Sequence, residues 1–352
     1  MRCRSRLRDK AGLVRVTAVE TMAKTRHIVW WQWTRGVFFA VYSVFILLAA
    51  ILGGCEARDS RQPQVAALQE KVIFGDDNRI DLSDDATFDK FASAVAAVVP
   101  YPSIAGCTDH KCDLHTVPYG EVELVCPDER FYGEPTAAIC TAFLVSSNVI
   151  ATAGHCVADQ QACEQLAFVF GFARESAQGP FKTTGLESYS CAKLLARADA
   201  DDDYALIQLD RTAHGHAVLP LKSSDPVYDT EVFVMGHPSG LPMKVATDGA
   251  LRGMLNNMVM YNVDSTHGNS GGPLINAMTG EVEGIVVAGP RSNELDTTNM
   301  CYRERTCPVE GCDESNPAYG VSGSLMAGAT PGKVVYQALA NTTVNCDQGT
   351  GG

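Results

Sequence analysis

A succession of short apolar runs, rich in Val and Ile and punctuated by Gly, Pro and Asp, most narrows the folds open to this chain. The runs occupy residues 141–145, 149–153, 166–172, 204–209, 231–235, 258–263 and 282–287. Each has the length of a strand, and the branched side chains in them suit a pleated, half-buried surface. Helical periodicity is expected only over residues 88–99 and again over 331–340, where Pro331 suits a first helical turn. Many short strands with turn signals between them predict an all-β domain, a barrel or a sandwich. No repeat of fixed period and no low-complexity tract interrupts the pattern.

Charge and cysteine content narrow the partners. The 352 residues carry 28 Lys and Arg against 41 Asp and Glu, for a net charge of −13. Twelve of the basic and five of the acidic residues precede Val72, so the rest of the chain carries a net charge of −20. An anionic body of this kind repels phosphate backbones, which excludes nucleic acid as a natural partner and weakly favours cationic ligands. Thirteen cysteines suit an oxidising compartment. Beyond Cys3 and Cys55, eleven remain, an odd number that leaves one thiol free or bonded to another molecule.

The N-terminal region reads as an export device. Residues 36–54 form an uncharged apolar stretch of 19 residues, preceded by Lys24, Arg26 and Arg35. As a helix it would be about 28 Å long, close to a bilayer core. The charge order is that of a signal sequence, and Met22 would open a signal of ordinary length. The stretch ends in Leu52-Gly53-Gly54-Cys55, which resembles the lipobox of bacterial lipoproteins. That resemblance implies acylation at Cys55 and residence in the cell envelope, tied to the membrane through the lipid. An uncleaved single-span helix and a plain secretory signal are the alternatives. The expected organisation is therefore an extension and signal over 1–54, a polar tether or propeptide over 55–71, and one domain over 72–352.

Three segments carry the chemistry. Ala151-Thr152-Ala153-Gly154-His155-Cys156 delivers a histidine at the end of a strand of small residues. Asp203 opens the apolar strand Tyr204-Ala205-Leu206-Ile207-Gln208-Leu209. Gly268-Asn269-Ser270-Gly271-Gly272-Pro273 is a glycine-rich turn around a serine. A serine hydroxyl needs an imidazole to take its proton, and the imidazole needs a carboxylate to fix its tautomer. Glycines beside the serine let main-chain N–H groups converge on a developing oxyanion.

In these segments the chain resembles the chymotrypsin-fold serine proteases, over about residues 72–341. The resemblance implies two packed six-stranded antiparallel β-barrels, about 72–215 and 216–341, with a C-terminal helix. It implies His155 as general base, Asp203 as its partner and Ser270 as nucleophile, with the main-chain nitrogens of Gly268 and Ser270 as oxyanion donors. Asp201 and Asp202 are neighbouring alternatives, but only Asp203 directly precedes the aromatic-Ala-Leu strand of the family pattern. Cys140 and Cys156 match the family's disulfide beside the histidine. The implied activity is endopeptidase cleavage of polypeptide substrates by a monomer without cofactor or metal. The rival G-x-S-x-G elbow of α/β-hydrolases is excluded by chain order, because there the acid and histidine follow the serine. A protease-fold binding protein with little turnover is the alternative from another class.

Asn269 and Thr266, and the stretches 72–79 and 236–242, look like the bacterial glutamyl-endopeptidase branch, although the glutamate-binding histidine of that branch is missing near Val286. By the same resemblance, Asp264 matches the base aspartate of trypsin-like specificity pockets. Ser265 and His267 stand beside it, and Gly289 and Gly320 are small wall residues. This implies cleavage after Lys or Arg, unless Asp264 merely bonds backbone in a tight turn. Val287 and Ala288 replace a supporting serine and a subsite tryptophan. Because Lys71 precedes Val72-Ile73-Phe74-Gly75, cutting between Lys71 and Val72 by another copy or a similar enzyme is an expectation, with an uncut first strand and turn as the alternative.

Remaining motifs carry less. Cys107, His110, Cys112 and His115 have spacing that could ligate zinc, but disulfides to Cys112 or Cys126 fit an exported chain better. Cys301, Cys307 and Cys312 are expected to staple an insertion between Gly289 and Gly320, and Cys163 is a candidate partner of Cys191. His214 and His216 flank a glycine in an expected solvated turn. Asn341-Thr342-Thr343 matches a glycosylation acceptor.

Overall fold

The computed structural model describes residues 72–199, 202–289, 293–316 and 321–348. The export stretch, Cys55, Lys71, Asp201 and Gly320 lie outside the described residues.

The first six barrel strands are β1 (Val95–Pro100), β2 (Cys140–Ser146), β3 (Val149–Thr152), β4 (Leu166–Phe170), β5 (Leu186–Ala198) and β6 (Tyr204–Leu209). They pair antiparallel in the ring β1-β2-β3-β6-β5-β4, and β4 closes back onto β1. The second set is β7 (Glu231–Gly236), β8 (Lys244–Leu255), β9 (Met258–Tyr261), β10 (Pro273–Asn276), β11 (Val282–Ala288) and β12 (Ala327–Pro331). These close as β7-β8-β9-β12-β11-β10, which is the same ring order. The two closed six-stranded antiparallel barrels make the fold chymotrypsin-like.

The sequence runs are apolar throughout, rather than alternating, because the strands are buried on both faces. In β2, Cys140, Ala142 and Leu144 point into the first barrel, whereas Phe143 and Val145 join a core shared by the two barrels. In β7, Val232 and Val234 fill the second barrel, and Phe233 and Met235 meet Phe143 and Val145 in the shared core. The two-residue period thus sorts each strand between a barrel interior and the seam. Phe88 and Phe91 pack edge-on against Phe233 at centroid separations of 5.1 and 5.2 Å.

The expected helix over 88–99 is corrected. The α-helix is confined to Asp89–Ala92, after a 3₁₀ turn over Ala86–Phe88, and Val95–Pro100 is β1. A continuous apolar run such as Ala94–Val99 has no period to separate helix from strand, and burial on both faces selects the strand. At the other end, helix α1 (Gly332–Gln348) follows Pro331, and Val335, Ala338 and Leu339 pack on the shared core at helical spacing.

Outside the barrels, the hairpin Ile104–Thr108 and Lys111–Leu114 extends the sheet from β5. The segment from Val72 is strapped across the second barrel. Ile73–Phe74 runs parallel to Thr306–Cys307, and Ile80–Asp81 pairs with Lys244–Val245 of β8. Arg79 is buried and bonded to Asp77 and Glu304, and Tyr119 donates to Glu304 as well. Lys244, also buried, is bonded to Asp81 and to Glu134.

Among the described residues five disulfides join Cys107–Cys112, Cys126–Cys301, Cys140–Cys156, Cys163–Cys191 and Cys307–Cys312. The first consumes both sulfurs of the candidate zinc set. Cys301 does not stay within its own insertion but ties it to the loop at Cys126, 175 residues away. His216 is not in a solvated turn either: its Nδ1 donates to the Ser93 carbonyl at 2.6 Å, and its Nε2 lies 3.0 Å from Glu187 Oε2.

Candidate active site

Two strand ends and one loop converge at the seam. β3 delivers the short 3₁₀ turn Gly154–Cys156, which carries His155. That turn approaches Ala198 and Tyr204 so closely that a Cβ on Gly154 would lie 2.0 Å from the Ala198 carbonyl oxygen, so only glycine fits. Arg197 Nε donates to the carbonyls of Gly154 at 3.1 Å and Val157 at 2.7 Å, bracing the turn on both sides. Asp203 sits immediately before β6, buried. Its Oδ2 lies 2.7 Å from His155 Nδ1, and its Oδ1 accepts the His155 main-chain N–H at 2.9 Å. The two bonds fix both the position of the histidine and the face of its ring. With Nδ1–H directed at the carboxylate, Nε2 is left as the acceptor.

The serine loop packs directly against this turn. The Cys156 sulfur lies 3.7 Å from the Ser270 carbonyl oxygen, and Cys156 is bonded to Cys140 of β2. The Ser270 carbonyl accepts the Thr141 N–H at 2.8 Å. Gly271 has φ +85°, and a Cβ there would meet the Thr141 carbonyl and Thr152 Oγ1 at 2.1 Å. Thr141 is the hub of this packing. Its hydroxyl donates to the Gly268 carbonyl at 2.8 Å and accepts from His237 N at 3.0 Å, and its carbonyl accepts from Thr152 Oγ1 at 2.7 Å.

Two peptide units of the loop are held by their carbonyls. The His267 carbonyl accepts the Ser239 N–H, and the Asn269 carbonyl accepts Gly272 N–H at 2.8 Å. Because a peptide is planar and trans, its N–H points opposite to its C=O. The N–H groups of Gly268 and Ser270 are thereby turned away from those partners.

The Asp203 backbone has a support that sequence reasoning missed. Thr330, buried on β12, donates its hydroxyl to the Asp202 carbonyl at 2.8 Å and the Asp203 carbonyl at 3.1 Å. Val287, the replacement noted on β11, is in the shared core. The support therefore comes from the strand next to β11, and no local signal marks Thr330 or Thr141 in the sequence.

The candidate specificity residues fall differently. Asp264 is buried, and both its oxygens are engaged by main chain: Oδ1 accepts from Phe74 N at 2.7 Å and Oδ2 from Asn78 N at 3.0 Å. Burial pushes its carboxyl up to about 6, against the two N–H bonds and the nearby Arg79 that favour the charged form. Ser265 donates its N–H to the Val72 carbonyl at 3.2 Å, and its hydroxyl lies 3.3 Å from Tyr261 OH. His267 is at the surface, with Nε2 3.0 Å from Glu123 Oε1. Gly289 is buried directly after β11. His237 donates from Nδ1 to the Leu241 carbonyl at 3.0 Å, and burial pushes its imidazole down to about 4. The sulfurs nearest His155 and Asp296 are in disulfides, which removes them as metal ligands.

Residues 140–285 match the family model of the trypsin-like peptidase domain. The matched stretch begins at the disulfide beside His155, contains Asp203 and Ser270, and ends within β11. It supports a function of serine-protease type, with polypeptides as the class of substrate. A curated relative is similar over part of the chain: secreted RxLR effector protein 73 of Plasmopara viticola, 30% identical over 152 residues. The aligned part is 39% of this chain and 38% of that protein, so the chain spans well under half of the relative's length.

Proposed function

We propose that the protein is a serine endopeptidase in which Ser270 attacks the scissile carbonyl, His155 takes the hydroxyl proton and Asp203 orients the imidazole. The paired bonds from His155 to Asp203, at 2.7 and 2.9 Å, carry this reading. A carboxylate that grips both the ring and the main chain of one histidine holds a single tautomer ready to act as base. Gly268 and Ser270 supply the main-chain N–H groups for the oxyanion, and their carbonyl partners pre-orient them, so little reorganisation accompanies the reaction. His155 then returns its proton to the leaving amine, and a water repeats the sequence to release the acyl group.

The bonds from Phe74 and Asn78 favour the reading in which Asp264 anchors the strap from Val72 and does not face a basic substrate side chain. His267 and Gly289 remain the proposed substrate-facing residues, whereas Ser265 is buried with its N–H and hydroxyl engaged. An exported, extracellular location fits the five disulfides and the apolar stretch 36–54, and the secreted relative favours release over acylation at Cys55.

A fluorophosphonate active-site probe tests the chemistry. Labelling of the wild-type protein that disappears in Ser270→Ala is expected, with kcat lower by on the order of 10⁶-fold. Folded protein that is never labelled would point to a binding protein instead.

A further inference from the structure

The loop carrying Glu123 is stitched to the hairpin Asn293–Asp296 and Cys301–Glu304. Tyr302 N donates to the Leu124 carbonyl at 2.9 Å, Cys126 N donates to the Tyr302 carbonyl at 2.9 Å, and the Cys126–Cys301 disulfide locks the junction. Arg303 adds ion pairs to Asp128, Glu129 and Asp296 at 3.1, 2.9 and 3.1 Å. Two segments distant in sequence thus make one platform.

That platform presents apolar side chains to solvent. Leu124 is 62% exposed and Met300 75%, and Val122, Leu295 and Tyr302 are exposed as well. Leu295 and Tyr302 are cross-strand partners and so face the same way. Leu124 and Met300 also hold left-handed backbone, at φ +53° and +55°. A long side chain is strained in this conformation, and Asn or Gly would sit there more easily. Neither residue gains burial in return, so folding stability does not account for their being apolar.

The platform is continuous with the candidate active site. Glu123 stands between Val122 and Leu124 and pairs with His267 at 3.0 Å, and His267 directly precedes Gly268 of the serine loop. We propose that this surface is a second contact site for the polypeptide substrate, taking an apolar stretch some residues away from the bond that is cut. The net charge of −20 beyond Val72 favours basic residues flanking that stretch. The inference rests on the endopeptidase reading and adds where a long substrate gains its affinity.

The test compares fluorogenic peptides sharing one cleavage sequence, either short or extended on either side by a Leu-, Phe- and Lys-containing segment. For the full chain, kcat/KM is expected to be at least about tenfold higher for one extended peptide, through a lower KM, since burying two such side chains supplies that much. In Leu124→Asn/Met300→Asn, whose new residues tolerate the left-handed backbone, the ratio of extended to short should fall to about one. Equal rates on short and extended peptides by the wild-type protein, or an advantage kept by the double variant, would overturn the platform. Should Ser270 prove unreactive to the probe, anisotropy decides separately. Tighter binding of the labelled extended peptide to Ser270→Ala than to Ser270→Ala with both Asn substitutions supports the platform, and equal binding overturns it.

Discussion

Thr330 and Asp264 both act through main chain, yet with opposite consequences for activity. Thr330 reaches Asp203 from a different strand, so its hydroxyl positions the carboxylate without touching substrate. Thr330→Val keeps the shape and removes the donor. We expect kcat to fall by about tenfold with KM little changed, and stability to fall by about 1 kcal/mol, read from steady-state kinetics beside a thermal melt. Asp264 instead anchors the strap. Its carboxyl is pushed up to about 6 in the folded protein and returns to the ordinary value near 3.8 when the chain unfolds. The folded state therefore binds the proton more tightly, so the contribution of Asp264 is complete below about pH 4 and is lost as pH rises through about 6. The stability gap between wild type and Asp264→Ala should narrow by on the order of 1–3 kcal/mol from pH 4 to pH 8. A gap that widens would mean the carboxyl is not held up by burial. Proteolytic profiling of the same variant on Arg, Lys and Glu peptides should leave any preference unchanged if Asp264 does not meet substrate.

Among the elements, the strap from Val72 is the least conventional, since its hold depends on charges withdrawn from water. Arg79 is buried between Asp77 and Glu304, and removing it leaves a buried carboxylate without its main partner. Arg79→Ala should cost about 3–5 kcal/mol in urea unfolding. A loss below about 1 kcal/mol would show that the strap is held by its strand pairing alone. None of this was legible in the sequence, because Arg79, Glu304 and Lys244 look like ordinary surface charges until topology brings them together. The strand runs were legible, since β-branched residues between turn signals have one good use. The helix expected over 88–99 failed where burial on both faces erases periodicity. At the candidate site, His155, Asp203 and Ser270 could be singled out because each sits in a distinctive local context. Thr141 and Thr330 were invisible, as threonines within strands resemble every other threonine there. The Cys126–Cys301 bond was equally hidden, because spacing says nothing about which distant loops meet.

For the molecule as a whole, the strap bears on how the proposed activity would be controlled. Every bond that seats residues 73–81 uses side chains or internal main chain, and none of the bonds described requires a new α-amino group at Val72. Asn269, the neutral residue before Ser270, offers no ion pair to such a group either. The uncut chain should therefore react with the fluorophosphonate probe as fast as chain cut after Lys71, with the N-terminus of each form read by sequencing. An uncut form labelled at least tenfold more slowly would restore the case for activation by cleavage. The proposed chemistry is also divided between two rings of the same order. His155 and Asp203 come from the first, Ser270 from the second, and Thr330 lies on β12, the last strand to close it. A ribosome makes such a chain from its N-terminus, so the nascent polypeptide emerges unarmed. A product truncated before Ala327 should stay dark to the probe, because the second ring cannot close until that strand has left the exit tunnel.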